Sequence, residues 1–540
     1  MSASKTAPSD RFDYVIIGGG SAGCVLADRL SASGEHSVCL IEAGPPDRDP
    51  RIKVPFGLIG LMNNPRYDWR YRSADHAHLG GKSVSVPRGK TLGGSGSINS
   101  MVYIRGRASD YDRWAELGAT GWAWDDVLPI FKRQENNGRG ADAFHGDDGP
   151  LHVQNAPSPH PLTETFIRAG EENQIPSNSD FNGAIQEGLG VYQTNMRNGR
   201  RWSAADAFLR PAMRRQNLAV FTNTDADRLV LEDGRATSIE VVRNQRRETI
   251  RVRGEVILAA GAVGSPAILL RSGIGPGGHL QDLGIETRND LSGVGANLHD
   301  HPAVAVFHGD GPAGYGITLS AIPQLIAAPF QYLFSRRGML ASNTVEAGGF
   351  AKTDPGLAEP DVQFHFIPAR LGHEGKMIVY GRGYYCDVCL LKPKSRGALR
   401  LSSRALNASP IIDLNLLKYK TDFDTLTNGL KLLRSIMAAP GFNRFRSEEL
   451  CPGRSVISEA EVRTYIVERL GTAYHPVGTC RMGDPNDPYT VVDPRLRVKN
   501  MANVRVVDAS VMPEIVAGNT NAPTMMIAEK GADIIRAAVR

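Results

Sequence analysis

At 540 residues the chain exceeds what one hydrophobic core usually supports, so at least two domains, interleaved or sequential, are expected. Its 41% hydrophobic and 22% charged content is that of a soluble globular enzyme and excludes a disordered chain. A balance of 62 basic against 57 acidic residues is too even to argue for a nucleic-acid partner, and six dispersed cysteines exclude a disulfide framework.

The first ten residues are polar and hold no apolar h-region, and no run reaches the length of a membrane span, which predicts a cytoplasmic protein. Tyr14–Ile17 reads as a buried parallel strand running straight into Gly18, Gly20 and Gly23, the GxGxxG spacing that opens a helix over Cys24–Leu30. Gly18 permits the tight turn, Gly20 lets the backbone approach a pyrophosphate, and Gly23 lets helix and strand pack closely. The N–H groups of that helix start, at Ser21 and Ala22, meet the phosphates. A second strand, Val38–Ile41, ends at Glu42, 19 residues past Gly23, where a carboxylate accepts from ribose hydroxyls and disfavours a 2′-phosphate. The motif alone leaves open whether the dinucleotide is a nicotinamide or a flavin.

Residues 87–99 are rich in glycine and serine, so their backbone can approach a flat or charged ligand. The basic stretch Arg243–Arg253 reads as a solvated hairpin. Val256–Gly261 is a further strand of the nucleotide sheet, followed by a helix start with Ser265 as N-cap and Pro266 in the first helical position. The apolar segment Ile317–Leu333, interrupted by Pro323 and Pro329, reads as a surface or pocket-lining helix pair and is compatible with peripheral contact with an inner-membrane surface. Strand-like runs at Asp361–Phe366 and Ala398–Leu401 fit a mixed second sheet in an inserted domain. Cys386 and Cys389 form CxxC, but on a strand they point to opposite faces, so they read as packing thiols and no metal site is expected. Val504–Ser510 is another buried strand, and the last helix begins at Asn521–Thr524, so both chain ends belong to one domain.

Five segments together resemble the glucose-methanol-choline (GMC) oxidoreductase family, flavoenzymes that oxidise alcohols with FAD. These are the N-terminal Gly-Gly-Gly-Ser-Ala-Gly, the stretch Gly89–Asn99, the stretch from Gly264 to Pro276, Val294–His301, and His475–Gly483. The resemblance spans residues 12 to 538 and implies an α/β (α+β overall) fold, in which a Rossmann-like FAD-binding domain is interleaved with a substrate-binding domain on a mixed or antiparallel sheet with helices. The expected division is FAD-binding segments at 10–155, 201–305 and 471–540, and substrate-domain segments at 156–200 and 306–470.

The resemblance implies FAD held by Gly18, Gly20, Ser21, Ala22, Gly23, Glu42, Ala43, Leu92, Gly93, Gly94, Asn99, Met101, Val102, Ala260, Asp508, Ala509, Asn521 and Thr524, with the flavin ring against the loop from Gly93 to Val102. Some members attach flavin covalently through a histidine; Ile98 holds that slot here, which implies noncovalent FAD. Within the HPVGTCRMG stretch, His475 is the expected base, since imidazole can take a proton near neutral pH. Asn519, 44 residues on, is the expected partner that orients the alcohol oxygen. Asp508 is expected at the ribityl or phosphate region, with capping of the next turn as the alternative. Glu346 and Tyr474 are the expected substrate contacts, Glu346 because some choline-oxidising relatives set a glutamate against their cation. His299, Asp300 and His301 are expected to support the flavin domain rather than bind metal.

The implied reaction is oxidation of a small alcohol, polyol, sugar or aldehyde hydrate, with electrons passing to a quinone or dye-like carrier. The alternatives are an alcohol oxidase that uses oxygen, a nonredox or photochemical member such as a hydroxynitrile lyase or fatty-acid photodecarboxylase, and a flavin carrier without catalysis. Oligomeric state is not legible from the sequence.

Overall fold

Five strands form the parallel part of the first sheet in a computed structural model that describes residues 11–309, 311–370, 380–445 and 448–539. The polar first ten residues lie outside the described ones. The strand order is Leu218–Phe221, Val38–Ile41, Arg11–Ile17, Arg246–Leu258, with Val504–Val506 pairing on the far side of Leu258. Val15, Ile16, Val38, Leu40, Val256 and Leu258 are fully buried, as a parallel sheet covered on both faces requires. Helix Ser21–Ser31 and the last helix, Asn521–Val539, pack on each other, and Arg29 Nε meets Glu529 Oε1 at 2.8 Å.

The 13-residue strand Arg246–Leu258 has two roles. Its second half lies in the parallel sheet, while its first half pairs antiparallel with Arg235–Arg243, which in turn pairs with Thr224–Glu232. The expected basic hairpin is therefore present, and it turns at Asn244 and Gln245, both at positive φ, 51° and 62°.

The second sheet is wholly antiparallel in its main path: Glu448–Cys451, Pro302–Gly309, Gly383–Leu390, Val362–Ile367, Ala347–Ala351 and Gly188–Val191. Helix Lys420–Ala438 covers it, burying Phe423, Leu426, Leu430, Leu433 and Met437 along one stripe. Strand Pro302–Gly309 crosses the division expected at 305/306. Ala398–Arg400 does not join this sheet as expected; it pairs only with Ile411–Asp413 in a separate ribbon. Cys386 and Cys389 are buried free thiols on opposite faces of a strand that is covered on both.

Two helix predictions need correction. The helix after Ala260 begins at Gly261, not at Ser265, and runs to Arg271 with Pro266 inside it. Pro266 has no N–H to give to the Ala262 carbonyl four residues back, and the Thr479 hydroxyl takes that place at 2.7 Å. The apolar segment at 317–333 is not a helix pair but one 3₁₀ turn, Leu319–Ala321, leading into one helix, Ile322–Ser335. Pro323 falls in its first turn, where a missing N–H costs little.

Candidate active site

The phosphate turn is shaped by what cannot fit there. Gly18 has φ +106°, and a Cβ on it would lie 2.5 Å from the Ala259 carbonyl oxygen, so the turn packs directly on the strand end that leads to Ala260. At Gly20 a Cβ would meet nothing nearer than Gly94 Cα at 3.9 Å, so the helix start faces an open space bounded by glycine backbone. Glu42 is buried at the adjoining strand end and accepts from the N–H groups of Gly19 and Gly44, each at 2.8 Å. Burial pushes its carboxyl up to about 7 against those two donors, and ribose hydroxyls donating to its remaining lone pairs would favour the ionised form. Ala43, partly exposed, continues this rim.

The glycine-rich loop is fastened to the same turn. Gly93 N–H donates to the Gly19 carbonyl at 2.8 Å, and a Cβ on Gly94 would come within 2.7 Å of Gly20 Cα. Leu92 is buried beneath it. Met101, at φ +60°, and Val102 continue the loop, and the Met101 carbonyl accepts from Asn195 N–H at 2.8 Å. Asn99 Oδ1 accepts from Met101 N–H at 3.0 Å and from the buried Arg201 Nη1 at 2.8 Å. Around this loop, Arg201 Nη2, both amide atoms of Asn195, and Asn343 Oδ1 are buried without a protein partner. An open glycine cradle, a ribose-side carboxylate and unpaired polar atoms beside a flat loop fit FAD. Ile98 is buried with Ile52, Leu61 and Tyr67, and a hydrocarbon there offers no atom for a covalent flavin bond.

Ser21 and Asn521, expected on the cofactor, meet each other: Ser21 Oγ donates to Asn521 Oδ1 at 2.7 Å, joining the starts of the first and last helices. Thr524 Oγ1 donates back to the Thr520 carbonyl at 2.7 Å. Ala22 is buried, so that helix start presents backbone rather than this side chain. Asp508 has its four lone-pair directions filled by Gly261 N–H, Ser265 Oγ, Ser510 N–H and Ser510 Oγ, at 2.5 to 2.8 Å. It is the capping alternative that this geometry supports. Ala509, partly exposed, follows it.

His475 and Asn519 come together: Asn519 Nδ2 lies 3.1 Å from His475 Nε2, and both residues are partly exposed among buried neighbours. Two residues that sequence reasoning did not assign to this place complete the arrangement. His301 Nδ1 lies 3.2 Å from His475 Nδ1, and His301 Nε2 lies 3.2 Å from the Val516 carbonyl. On the other side, Gln363 Nε2 donates to Asn519 Oδ1 at 3.1 Å and to Tyr192 Oη at 3.2 Å, while Tyr192 Oη donates to the Phe364 carbonyl at 2.7 Å.

Carbonyls only accept, so the two ends of this chain fix every proton between them. Val516 requires the proton on His301 Nε2, which leaves His301 Nδ1 an acceptor and gives His475 Nδ1 the proton. Phe364 requires Tyr192 to donate, which turns the Gln363 amide N–H toward Asn519 Oδ1 and so turns Asn519 Nδ2 toward His475. His475 Nε2 is left an acceptor, and it takes the Asn519 Nδ2–H at 3.1 Å. Burial, with His301, His365 and Arg88 nearby, holds His475 well below the ordinary imidazole value, and burial holds His301 down to about 3, so both rings are neutral. Asp300 Oδ1 accepts from the backbone N–H groups of His475 and His301 at 2.8 and 2.7 Å and holds the two segments together. His365, two residues from Gln363 on the same strand face, pairs through Nδ1 with Asp387 at 2.8 Å, and its buried Nε2 has no partner.

Glu346, expected as a substrate contact, directs its carboxylate to protein donors. Its carboxylate is buried and accepts from His160 N–H at 2.6 Å, Thr163 Oγ1 at 2.8 Å and Ser342 Oγ at 2.5 Å. The first two belong to the start of helix Pro161–Glu172, where unpaired backbone N–H groups and the positive dipole end draw a carboxylate. Tyr474, beside His475 at φ 65°, is 38% exposed, and its backbone carbonyl accepts from Arg88. Among the described residues no group of three or more His, Cys, Asp or Glu side chains could hold a metal ion.

The N- and C-terminal domains of the GMC oxidoreductase family match residues 12–303 and 393–528. The chain is 44% identical to an alcohol dehydrogenase [acceptor] of Pseudomonas putida over 528 residues, 97% of this chain and 95% of that one. It is also 44% identical to an oxygen-dependent choline dehydrogenase of Rhizobium johnstonii over 526 residues, with the same coverage. Among solved structures, pyridoxine 4-oxidase from Mesorbium loti superposes with a TM-score of 0.88 at 33% identity, covering 97% of this chain and 99% of that one. The chain belongs to the GMC oxidoreductase family and is an enzyme that oxidises a CH–OH group with FAD.

Proposed function

We propose that the enzyme oxidises a small, uncharged alcohol to its carbonyl compound, with His475 as base and Asn519 as the donor that positions the alcohol oxygen. The observation that carries this reading is the lone pair of His475 Nε2 beside the Asn519 amide. The alcohol O–H gives its proton to Nε2 as the C–H bond donates two electrons. Bound noncovalently, FAD supplies the acceptor for that hydride. The Asn519 amide donates to the alcohol oxygen as negative charge builds on it, and Gln363 and His301 keep the amide and the imidazole in the required orientation.

An uncharged substrate is favoured because Glu346, where a cation-binding carboxylate was expected, is consumed in capping a helix. Val345, one residue before Glu346, packs against two apolar clusters, one holding Val102 and Ile104 and the other Tyr315 and Ile367. For the acceptor the reading is a quinone or dye-like carrier; the Pseudomonas relative's name gives an unspecified acceptor, and the Rhizobium relative's name gives oxygen as the alternative. Anaerobic mixing of the holoenzyme with primary, aromatic and cationic alcohols tests the reading. Flavin bleaching by neutral alcohols, with reoxidation faster by a quinone than by air, is expected; lyase turnover without bleaching would overturn it.

A further inference from the structure

One surface helix is built against the usual rule for a protein in water. Seven of the eighteen exposed large hydrophobic side chains among the described residues fall between Ile317 and Phe334. Leu319, Ile326, Phe330, Leu333 and Phe334 are 61 to 83% exposed. In helix Ile322–Ser335 only Ala328 and Tyr332 are buried, and Gln324, Gln331 and Ser335 share a narrow polar face. Ile322, Ile326, Phe330 and Leu333 follow helical spacing and form one outward stripe. A contiguous apolar face of this kind marks a binding surface rather than a packing remnant.

Charge identifies what it binds. Residues 311–345 contain no aspartate or glutamate, and the helix ends at Arg336 and Arg337. The ribbon Met196–Arg201 is tied to the same end: Tyr332 Oη donates to the Gly199 carbonyl at 3.1 Å, and Arg336 lies over the Tyr332 ring at 4.8 Å. That ribbon adds the exposed Arg197 and Arg200. An exposed apolar stripe in a segment that is basic and free of acidic residues suits an anionic bilayer, where apolar side chains enter the acyl boundary and arginines meet headgroups. A symmetric contact between two copies would instead bring two such basic segments together with no acidic counterpart in either. No helix among the described residues is long and apolar enough to cross a membrane.

We propose that helix Ile322–Ser335 docks the enzyme onto the surface of an anionic lipid bilayer. The turn that follows it, Met339–Ala341, includes Met339, which packs on the Tyr315 and Ile367 cluster, and Val345 links that cluster to Val102. The docked helix is thus joined through packed side chains to Val102, in the loop expected against the flavin. This deepens the reading of a quinone acceptor, because a quinone and an apolar alcohol both concentrate in lipid, but it is tested without either.

The purified holoenzyme is floated with vesicles of phosphatidylcholine, with and without phosphatidylglycerol. Flotation with the anionic vesicles is expected. The I326S/F330S/F334S variant should lose about tenfold or more of its partitioning, and R336S/R337S about tenfold on anionic vesicles only. Both should keep dye-linked alcohol oxidation within about twofold of the parent, as neither changes the catalytic groups. Lost flotation with retained turnover supports the proposal independently of the substrate assignment. Failure of the parent to float, equal flotation of the variants, or a dimer that I326S/F330S/F334S dissociates without any vesicle binding would overturn it.

Discussion

Two buried polar clusters lie within this molecule and treat their histidines in opposite ways. In the first, Arg105 pairs with Glu135, His145 Nδ1 lies 3.1 Å from Glu135 Oε2, and His145 Nε2 lies 2.9 Å from Asp180 Oδ2. Burial opposes the charge on His145, but hydrogen bonds to Asp180 and Glu135 prevail and raise it to about 9. In the second cluster no carboxylate touches the ring of His475. Its partners are an amide and a neutral imidazole, and burial holds it well below its ordinary value. The first cluster pairs its charges, fills further directions with neutral partners such as the Tyr103 hydroxyl, the Phe144 carbonyl and the Asn137 amide, and joins segments around residues 105, 135, 145 and 180. The second orders its protons with neutral groups and leaves His475 Nε2 an acceptor held only by the Asn519 amide, a neutral partner that a substrate hydroxyl can displace. Paired charge makes structure; an ordered neutral chain ending in an exchangeable acceptor makes a base.

The largest expected effect breaks the second cluster: His475→Ala should lower kcat/KM about 10²- to 10⁴-fold while the flavin stays bound, read by anaerobic flavin reduction. An unchanged rate would remove the base. Breaking the first cluster should do the reverse. Arg105→Met takes the guanidinium from the buried Glu135 and should cost about 3–5 kcal/mol of stability in denaturant titration, with kcat of the folded fraction retained. A smaller effect sharpens the contrast through pH. His145 is raised in the folded state, so its stabilisation is full below its unfolded value near 6.5 and is lost as pH rises through about 9. Thermal scans should therefore show Tm falling across that window, and His145→Asn should flatten the slope. Over the same range kcat/KM should hold steady, declining only below pH 6.5 as His475 takes a proton. Gln363→Leu should have the smallest effect, about 3- to 10-fold on kcat, since it removes one hydrogen bond that orients Asn519. Retention of that loss in Gln363→Glu, which cannot donate, would mark the donor as the part that matters.

The nucleotide half of this architecture was legible because its signals are local. A β-branched strand, a glycine turn and a carboxylate 19 residues on occupy one short stretch, and the structure places them as a single turn. The hairpin at Arg243–Arg253 was legible for the same reason, with alternation on both sides of an Asn-Gln turn. What sequence could not show depends on contacts between distant segments. Glu346 was assigned to substrate because nothing near it in the chain announces the helix start at His160, 186 residues away, that it caps. Ser265 and Pro266 resemble a helix start, yet the helix begins at Gly261 because Asp508 takes its first N–H and Thr479 replaces the hydrogen bond that proline forfeits. His301 stood inside a motif already singled out, but its role depends on a ring 174 residues later. Gln363 carried no signal at all: on a buried strand, one amide among apolar neighbours is visible only as a break in the pattern.

The central claim is that His475 is neutral, protonated on Nδ1 and an acceptor at Nε2. Side-chain ¹⁵N spectra of histidine-labelled enzyme near pH 6.5, with the His475 signals assigned by their loss in His475→Gln, test it most directly. The account predicts a protonated Nδ1 and an unprotonated Nε2 for His475, with the opposite tautomer for His301. A doubly protonated His475, or a proton resident on its Nε2, would contradict it.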